Sequence, residues 1–391
     1  MILSIFFLVA VFLIMHTYVF YPMILRVFSS GRKGNTIIFE KDEVLPFVSV
    51  IIAAYNEESC IREKIESIYS GSYPQDKFEV LIGSDHSTDR TGELVRLLVK
   101  RFSSVRFMDF RERRGKGNVV NDLVQEAKGS VLVLTDANVI FHKDTIFYMV
   151  RHFKNPEIGL VDTNMVNRGM KEQGISYQEK AYISREVKIK DMESRLWGAM
   201  MGPFGGCYAI LKEDYARVPS NFLVDDFYIN MMIFEKGKLA INDVRSIVFE
   251  DLPDELSTEF KRKVRIGTGN FQNLRRFRKL IFTKRYGFAF LSHKVIRWFG
   301  PFLMLIALAA NIGLAFEIER KLFFWILIIH LAVYFIPLFD WILKKLNIYV
   351  APFRLATHFF SMNAALFIGF FRSLGKVPSG VWERTERGSA S

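Results

Sequence analysis

Five short clusters of polar residues along the chain have the side chains that metal binding and proton transfer require. In chain order they are AAYNEE (53–58), GSDHSTD (83–89), RRGKGNVVN (113–121), LTDAN (134–138) and FLVDDFYIN (222–230). Asp136 in LTDAN is a hard oxygen ligand, and Asn138 offers a carbonyl oxygen two residues later, so this cluster could form part of a Mg²⁺ or Mn²⁺ site. The adjacent carboxylates Asp225 and Asp226 can raise each other's pKa, which suits a general base at neutral pH.

Each cluster also has a local structural explanation. Tyr55 and Glu57 could stack on and hydrogen-bond a nucleobase, whereas Asn56 between them could simply cap a helix. Lys116 lies between two glycines where a helix begins, which suits a phosphate, although without context a solvated lysine in a glycine turn is the better explanation. The two acids of FLVDDFYIN could be the acidic first turn of a helix. Taken one at a time, the clusters do not decide between a ligand site and ordinary turns and caps.

The elements between these clusters are predicted to bring them together. The sequence predicts strands at 47–54, 78–84, 105–110 and 131–136, and helices at 91–102 and 117–127. Strands that alternate with helices predict an α/β domain with a doubly wound, mostly parallel sheet. Ligands of such sheets bind beyond the carboxyl ends of the strands, and the first four clusters lie at those ends.

In this order and on these elements, the clusters resemble the motifs of the family-2, inverting glycosyltransferases with a GT-A fold. The resemblance covers roughly residues 46–387 and is closer to the membrane-embedded branch that contains hyaluronan, chitin, cellulose and poly-N-acetylglucosamine synthases. It implies a nucleoside-diphosphate donor, a UDP-linked sugar, held with Mg²⁺ or Mn²⁺. An acceptor hydroxyl, deprotonated by a general base, would displace the diphosphate in a single inverting step.

Each residue that matches a family motif takes a role from the resemblance. Asp226 is expected to be the general base with support from Asp225, while Asp136 and Asn138 would be metal ligands. The residues expected to bind the nucleotide sugar are Tyr55, Glu57, Asp85, Lys116, Asp136, Arg262 and Arg265. The glycine-rich, aromatic stretch at 197–210 has the character of an acceptor-binding loop, although it could equally be a turn into a strand. Its candidate acceptor-binding residues are Trp197, Phe204, Gly205 and Gly206.

Several positions depart from the family pattern. Asn138 replaces the second aspartate of the metal motif, and an amide oxygen carries less charge than a carboxylate. Ser84 and His86 replace an aspartate and a glycine of the motif that contains Asp85. Ile266 stands where the family has a tryptophan that borders the acceptor sugar, which weighs against chain polymerisation.

Hydropathy predicts a membrane protein with one soluble domain. Residues 1–25 are almost wholly apolar, close to the roughly 20 residues that span a bilayer, and basic residues follow at once, which places the next segment in the cytoplasm. Residues 298–316 and 322–343 are also long and apolar enough to span, whereas 355–371 could span or lie in the interface. The predicted divisions are a transmembrane anchor (1–25), a cytoplasmic GT-A domain (46–257), amphipathic basic interface helices (258–297), a C-terminal transmembrane region (298–371) and a tail (372–391).

Composition excludes several classes of protein. Half of the 391 residues are hydrophobic and 24% are charged, a mixture that fits a soluble domain fused to membrane segments. The net charge of +12 could suggest a nucleic-acid partner, but many cations lie in the basic segment beside the predicted membrane spans, so membrane lipids are the expected partner. The only cysteines, Cys60 and Cys207, exclude a disulfide framework and fit a reducing compartment.

The leading hypothesis is a multi-pass glycosyltransferase of a bacterial cell membrane, with its catalytic domain in the cytoplasm and a role in polysaccharide synthesis. Its partners would be the nucleotide-sugar donor, a glycan or lipid-linked acceptor, and membrane lipids, with no nucleic acid. Two alternatives remain open, a lipid-acceptor enzyme that transfers a single sugar and a catalytically inactive membrane scaffold. Asn138 would support the scaffold, whereas the presence of Asp136 and Asp226 argues against it.

Overall fold

One eight-stranded sheet forms the centre of the soluble domain, in the order β3-β2-β1-β4-β7-β6-β8-β5. The computed structural model describes residues 1–167, 176–250, 256–317 and 321–375. The strands are β1 (Val48–Ala54), β2 (Phe78–Asp85), β3 (Val105–Phe110), β4 (Val131–Asp136), β5 (Ile140–Phe141), β6 (Ile158–Asn167), β7 (Cys207–Leu211) and β8 (Leu239–Glu250). Most of the predicted tail, including its WERTER stretch (382–387), lies outside the described residues.

Strands β1 to β4 form the parallel half of the sheet, as the sequence predicts. β1 and β2 are buried almost along their whole lengths, which explains their continuous apolar runs, because helices cover both faces of a parallel sheet. In this register Ala53 of β1 lies beside Asp136 of β4, and Ala54 lies beside Ser84 of β2. The carboxyl ends of these strands therefore share one edge, where the polar clusters meet.

The other half of the sheet is mixed. β7 runs antiparallel to both β4 and β6, β6 and β8 are parallel, and the short β5 pairs antiparallel with β8. Thr135 pairs with Cys207 in this half, so the end of β4 lies directly beside the start of β7. The predicted doubly wound α/β fold is confirmed, and β7 brings the glycine-rich stretch that precedes it to the same edge as Asp136.

Helices cover both faces of the sheet, and long apolar helices lie at the two ends of the chain. They are α1 (Ile2–Met15), α2 (Tyr21–Ser29), α3 (Ile61–Tyr69), α4 (Thr91–Arg101), α5 (Lys116–Glu126), α6 (Thr145–Val150), α7 (Ser176–Trp197), α8 (Asp225–Glu235), α9 (Leu256–Phe277), α10 (Gly287–Ala289), α11 (Ile296–Trp298), α12 (Gly300–Ala315), α13 (Lys321–Lys345) and α14 (Ala351–Leu374). One hydrophobic core contains Ile65 of α3 and Val95 of α4. The other contains Leu123 of α5, Phe227 of α8 and Phe271 of α9.

Two described helical segments, Ile2–Ser29 and Lys321–Lys345, are long and apolar enough to cross a membrane. A third span would arise if Gly287–Trp298 and Gly300–Ala315, which meet at an angle of 63°, act together as one broken span. α12 has only 16 residues, so the span predicted at 298–316 depends on that combination. α14, which contains the segment at 355–371 whose topology the sequence leaves open, is not among these spans and packs against α9.

Candidate active site

The predicted metal motif lies at the end of β4, beside the lysine that begins α5. Asp136 is the last residue of β4, and its backbone N–H donates to the carbonyl of Gly206 over 2.9 Å. The ammonium nitrogen of Lys116 lies 2.5 Å from Oδ1 of Asp136, in a partly exposed ion pair. Two residues that the sequence assigns to the nucleotide sugar are thus in direct contact.

Asp85, at the end of β2, orders the loop that leads to Lys116. Its carboxylate accepts the backbone N–H groups of Arg114 over 2.6 Å and of Gly115 over 3.0 Å. Gly115 has a φ of +82°, a left-handed conformation that glycine adopts without steric cost, and it directly precedes α5. Buried Asp85 therefore sets the direction in which α5 and its first residue begin. Its role in binding a base N–H stays a prediction.

The ring of Tyr55 is covered by an arginine that the sequence reasoning did not single out. The guanidinium carbon of Arg113 lies 3.3 Å from the centre of the Tyr55 ring, and its Nε lies 3.3 Å from Oδ2 of Asp85. A nucleobase would have to displace this cation or stack beside it to use that face of the ring. Glu57, which is also predicted to bind the nucleotide sugar, accepts a hydrogen bond from the Cys60 thiol over 3.1 Å. The doubled arginine before GKG is the only sequence signal for Arg113.

The acidic pair begins α8 and lies against the glycine-rich stretch. A Cβ placed on Gly205 would lie 2.6 Å from Oδ2 of Asp226, so only glycine permits this approach of the backbone to the carboxylate. Burial and the adjacent charge of Asp225 raise the pKa of Asp226 to about 7. Asp225 and Gly205 line a small crevice together with Lys116. Asp226 can therefore exchange a proton near neutral pH, as a general base requires.

Asp136, Asp225 and Asp226 act electrostatically on two cations at this edge of the sheet, Lys116 and Arg265. Burial alone would lower the pKa of Lys116, but the negative charges of Asp136 and Asp225 outweigh burial and raise it. Burial also lowers the pKa of Arg265 on α9, and the charge of Asp225 is the main effect that opposes it. Asp226 and Asp136 act on Arg265 in the same sense. The arrangement offers positive charge for a diphosphate beside carboxylates for a metal and a proton.

The two arginines predicted to clamp the diphosphate have different surroundings. Arg262 donates to Glu259 one helical turn earlier, with Nε–Oε2 and Nη2–Oε1 distances of 2.8 and 2.9 Å. Glu259 is almost fully buried, which makes this bidentate pair a structural part of α9. Arg265, by contrast, lies in the field of the acidic cluster. The structure brings Arg265 to the predicted site more directly than Arg262.

The candidate acceptor residues separate into two groups. Gly205 and Gly206 lie at the acidic cluster, and the carbonyl of Gly206 accepts the Thr135 hydroxyl over 3.0 Å as well as the N–H described above. Phe204 is partly buried, and its backbone N–H donates to a buried aspartate over 2.7 Å. Trp197 ends α7 and packs its ring edge-on against Phe288, with ring centres 5.9 Å apart. Acceptor contact by these residues stays a prediction.

The residues at the end of β4 fit a divalent metal that a substrate shares. Nowhere in the described residues do three or more His, Cys, Asp or Glu side chains converge as a metal cage. Mg²⁺ is commonly bound through one or two protein oxygens, with phosphates of the substrate completing the shell. The Asp136 carboxylate and the amide oxygen of Asn138 would be such a pair, as the sequence predicts. The Asn138 side chain is itself held, because its Nδ2 donates to Glu250 over 3.0 Å.

A buried lysine supports this turn from behind. Lys64 of α3 is fully buried, donates to the Thr135 hydroxyl over 2.8 Å and to the Val139 carbonyl, and lies 3.6 Å from the centre of the Phe141 ring. Burial lowers the pKa of Lys64 to about 7. In the sequence, only its position among isoleucines on the apolar face of a helix indicates that this lysine is buried. Lys64 and Glu250 thus both hydrogen-bond the turn that contains the predicted metal motif.

Comparison with known proteins shows what the chain is similar to. Residues 49–218 match the family described as Glycosyl transferase family 2. The chain is 25% identical over 295 residues to the poly-beta-1,6-N-acetyl-D-glucosamine synthase of Staphylococcus epidermidis, covering 71% of this chain and 70% of that protein. It is also 25% identical over 245 residues to the protein of the same name from Staphylococcus aureus strain COL, covering 61% of this chain and 58% of the relative.

A solved structure is similar over almost the whole chain. It is a mannosyltransferase from Pyrobaculum calidifontis in complex with GDP-Man and Mn²⁺, with a TM-score of 0.71 and 22% sequence identity. The match covers 94% of this chain and 99% of that chain. The likeness confirms the fold class, including the helices on either side of the α/β domain.

Proposed function

We propose that this chain, a glycosyltransferase with a family-2 domain over residues 49–218, transfers a sugar from a nucleoside-diphosphate donor to a hydroxyl acceptor with inversion. The observation that carries the proposal is the meeting of the acidic pair of α8 with Lys116 and Asp136 at the carboxyl edge of the sheet. Each of these residues has a place in a displacement at a sugar diphosphate. Together they provide the base, the positive charge and the metal ligand that the proposed displacement requires.

The donor is held at the end of β4. Asp136 and the amide oxygen of Asn138 would hold Mg²⁺ or Mn²⁺, which supplies charge neutralisation for the leaving diphosphate when bound. Lys116 and Arg265 add positive charge at the same place, which stabilises the negative charge that develops on the departing diphosphate. Tyr55, just after β1, and Asp85, at the end of β2, are the proposed contacts of the nucleobase, and a UDP-linked sugar is the proposed donor.

The acceptor is activated by Asp226. Its carboxylate takes the proton of the acceptor hydroxyl while the oxygen attacks the anomeric carbon and the diphosphate leaves from the opposite side. Asp225 supports this role because its charge raises the pKa of Asp226 toward neutrality. The backbone at Gly205 lies against the base, and this leaves the approach to Asp226 free of a side chain from that position.

The membrane setting suggests the acceptor class. Ile2–Ser29 and Lys321–Lys345 would anchor the domain as a multi-pass protein of a bacterial cell membrane, with the site in the cytoplasm. The named staphylococcal relatives favour polysaccharide synthesis as the role. Ile266 in place of the family's tryptophan favours the second candidate, transfer of a single sugar to a lipid-linked acceptor. An inactive scaffold is disfavoured because Asp85, Lys116, Asp136, Asp226 and Arg265 are all present.

A donor screen with the purified protein tests the proposal. Nucleotide sugars are offered one at a time with Mg²⁺ or Mn²⁺, and release of the nucleoside diphosphate is measured. Metal-dependent release with one donor supports the proposal, whereas no release with any donor contradicts it. The active donor, radiolabelled, then separates the two roles by product length, because a single added sugar would rule out polymer synthesis.

A further inference from the structure

The side chain of Asn138 is oriented by a buried carboxylate that belongs to no sequence motif named above. Glu250 is the last residue of β8 and only 7% exposed. Its Oε1 accepts the amide Nδ2–H of Asn138 over 3.0 Å. Pairing of Ile140 with Phe249 places the end of β8 beside the turn that follows β4. The sheet therefore fixes the Glu250 side of this contact, and the short turn between β4 and β5 carries Asn138 to it.

The chemistry of this contact determines which way the amide points. An ionised carboxylate only accepts hydrogen bonds, and of the two ends of an asparagine amide only the nitrogen donates. Glu250 therefore holds the amide nitrogen of Asn138 on its own side and leaves the carbonyl oxygen turned away from it. A hard divalent cation binds the oxygen and not the nitrogen of an amide. The oxygen is thus presented two residues after Asp136, where the family motif has its second carboxylate.

We propose that Glu250 is a positioning residue for the metal, which fixes Asn138 as an oxygen ligand and keeps nearby the negative charge that the asparagine lacks. The inference rests on the proposed function, because it concerns the metal of that site. It also accounts for the departure at position 138. An aspartate there would bring a second negative charge against the Glu250 carboxylate, whereas an asparagine donates a hydrogen bond to it.

Metal binding with nucleotide tests this directly, without turnover. Mn²⁺ is titrated into the purified full-length chain with UDP present, and free Mn²⁺ is followed by its EPR signal. We expect Glu250→Gln, which keeps the size of the side chain but can hold the amide in either orientation, to weaken Mn²⁺ binding by about tenfold. The double variant Asn138→Asp/Glu250→Gln exchanges the carboxylate and the amide, and should recover an affinity within about threefold of wild type.

Controls separate this inference from the proposed function. Glu235→Gln removes a carboxylate from a surface ion pair with Arg276 and should bind Mn²⁺ like the wild type. Wild-type binding combined with unchanged affinity in Glu250→Gln would overturn the inference and leave the proposed function intact. Failure of the double variant to recover would also overturn it. A wild-type chain without UDP-dependent Mn²⁺ binding would overturn the proposed metal site, and the inference with it.

Discussion

At the scale of single residues, the proposed proton chemistry rests on two adjacent carboxylates in one partly buried turn. Asp226 loses solvent through burial and has the charge of Asp225 beside it, and both effects favour its protonated form. Lys116 acts in the opposite sense, so Asp226 titrates near neutral pH. Its base form is the deprotonated one. Transfer should therefore be slow at acidic pH and increase as the pH rises through about 7.

The pH dependence of kcat/KM provides the first prediction, because it reports ionisations of the free enzyme. In Asp225→Asn the repulsion by the neighbouring charge is lost, so the pKa of Asp226 falls and the acidic limb should move to lower pH. The profile is measured by diphosphate release in wild type and variant. Lys116→Met, which removes a favourable charge, should move the limb to higher pH. Limbs that coincide in all three proteins would contradict the assignment of Asp226 as the titrating base.

At the scale of secondary-structure elements, a close helix crossing connects the site to the membrane region. α9 carries Arg265 to the acidic cluster, and it crosses α14 where Gly267 meets Gly369. A Cβ placed on Gly369 would lie 2.8 Å from the Gly267 carbonyl carbon and 2.8 Å from the Thr268 nitrogen. Since both neighbours are backbone atoms, a side chain at 369 must push the helices apart.

Substitution at this crossing gives the second prediction. Gly369→Val should destabilise the protein by about 1–3 kcal/mol, as overpacking does, and reduce transfer because α9 moves. Thermal unfolding in detergent and donor turnover measure the two effects. Ala364→Val is the matched control, because Ala364 lies on the same helix with its side chain exposed. Equal stability of the two variants would show that the crossing tolerates separation.

Local sequence patterns were sufficient to predict the parallel half of the fold. The strands at 105–110 and 131–136 have the predicted bounds, because apolar runs between turn residues determine them. The mixed half depends on pairings such as Thr135 with Cys207, which no local period reveals. The same limit explains why Glu250 was not predicted. It contacts Asn138 across 112 positions of sequence, through a strand order that only the folded sheet establishes.

The site shows the same division. Asp136 and Asp226 could be proposed from the sequence because each belongs to a polar cluster, and the clusters occur in the order of the family motifs. Arg113, which covers Tyr55, and Lys64, which is buried behind β4, could not. The sequence around a lysine or an arginine seldom reveals whether its side chain is buried. Lys64 is buried because of the strands that surround it in the fold.

At the scale of the whole molecule, the apolar helices bear on the proposal that the site faces the cytoplasmic side of a membrane. Large apolar side chains are exposed along α1 and α13, as lipid contact requires, whereas the α/β domain is charged outside its two cores. Basic residues follow Ile2–Ser29 directly, which supports the proposal that the domain lies on the cytoplasmic side. A nucleotide sugar is doubly charged and does not cross a bilayer unaided, so donor access reports orientation.

Vesicle assays give the third prediction. Inside-out vesicles from a bacterial host should transfer sugar from added donor without detergent, because the site faces the medium. Right-side-out vesicles should be inactive until they are permeabilised. Activity that is already complete in intact right-side-out vesicles would place the domain on the other side of the membrane.

The most direct test of the central claim is the Asp226→Asn variant in the donor assay. If Asp226 is the general base, sugar transfer should fall by about 10²- to 10⁴-fold, while UDP and Mn²⁺ bind as in the wild type. Glu235→Gln serves as the control for loss of a carboxylate elsewhere on α8. Transfer by Asp226→Asn at the wild-type rate would contradict the account.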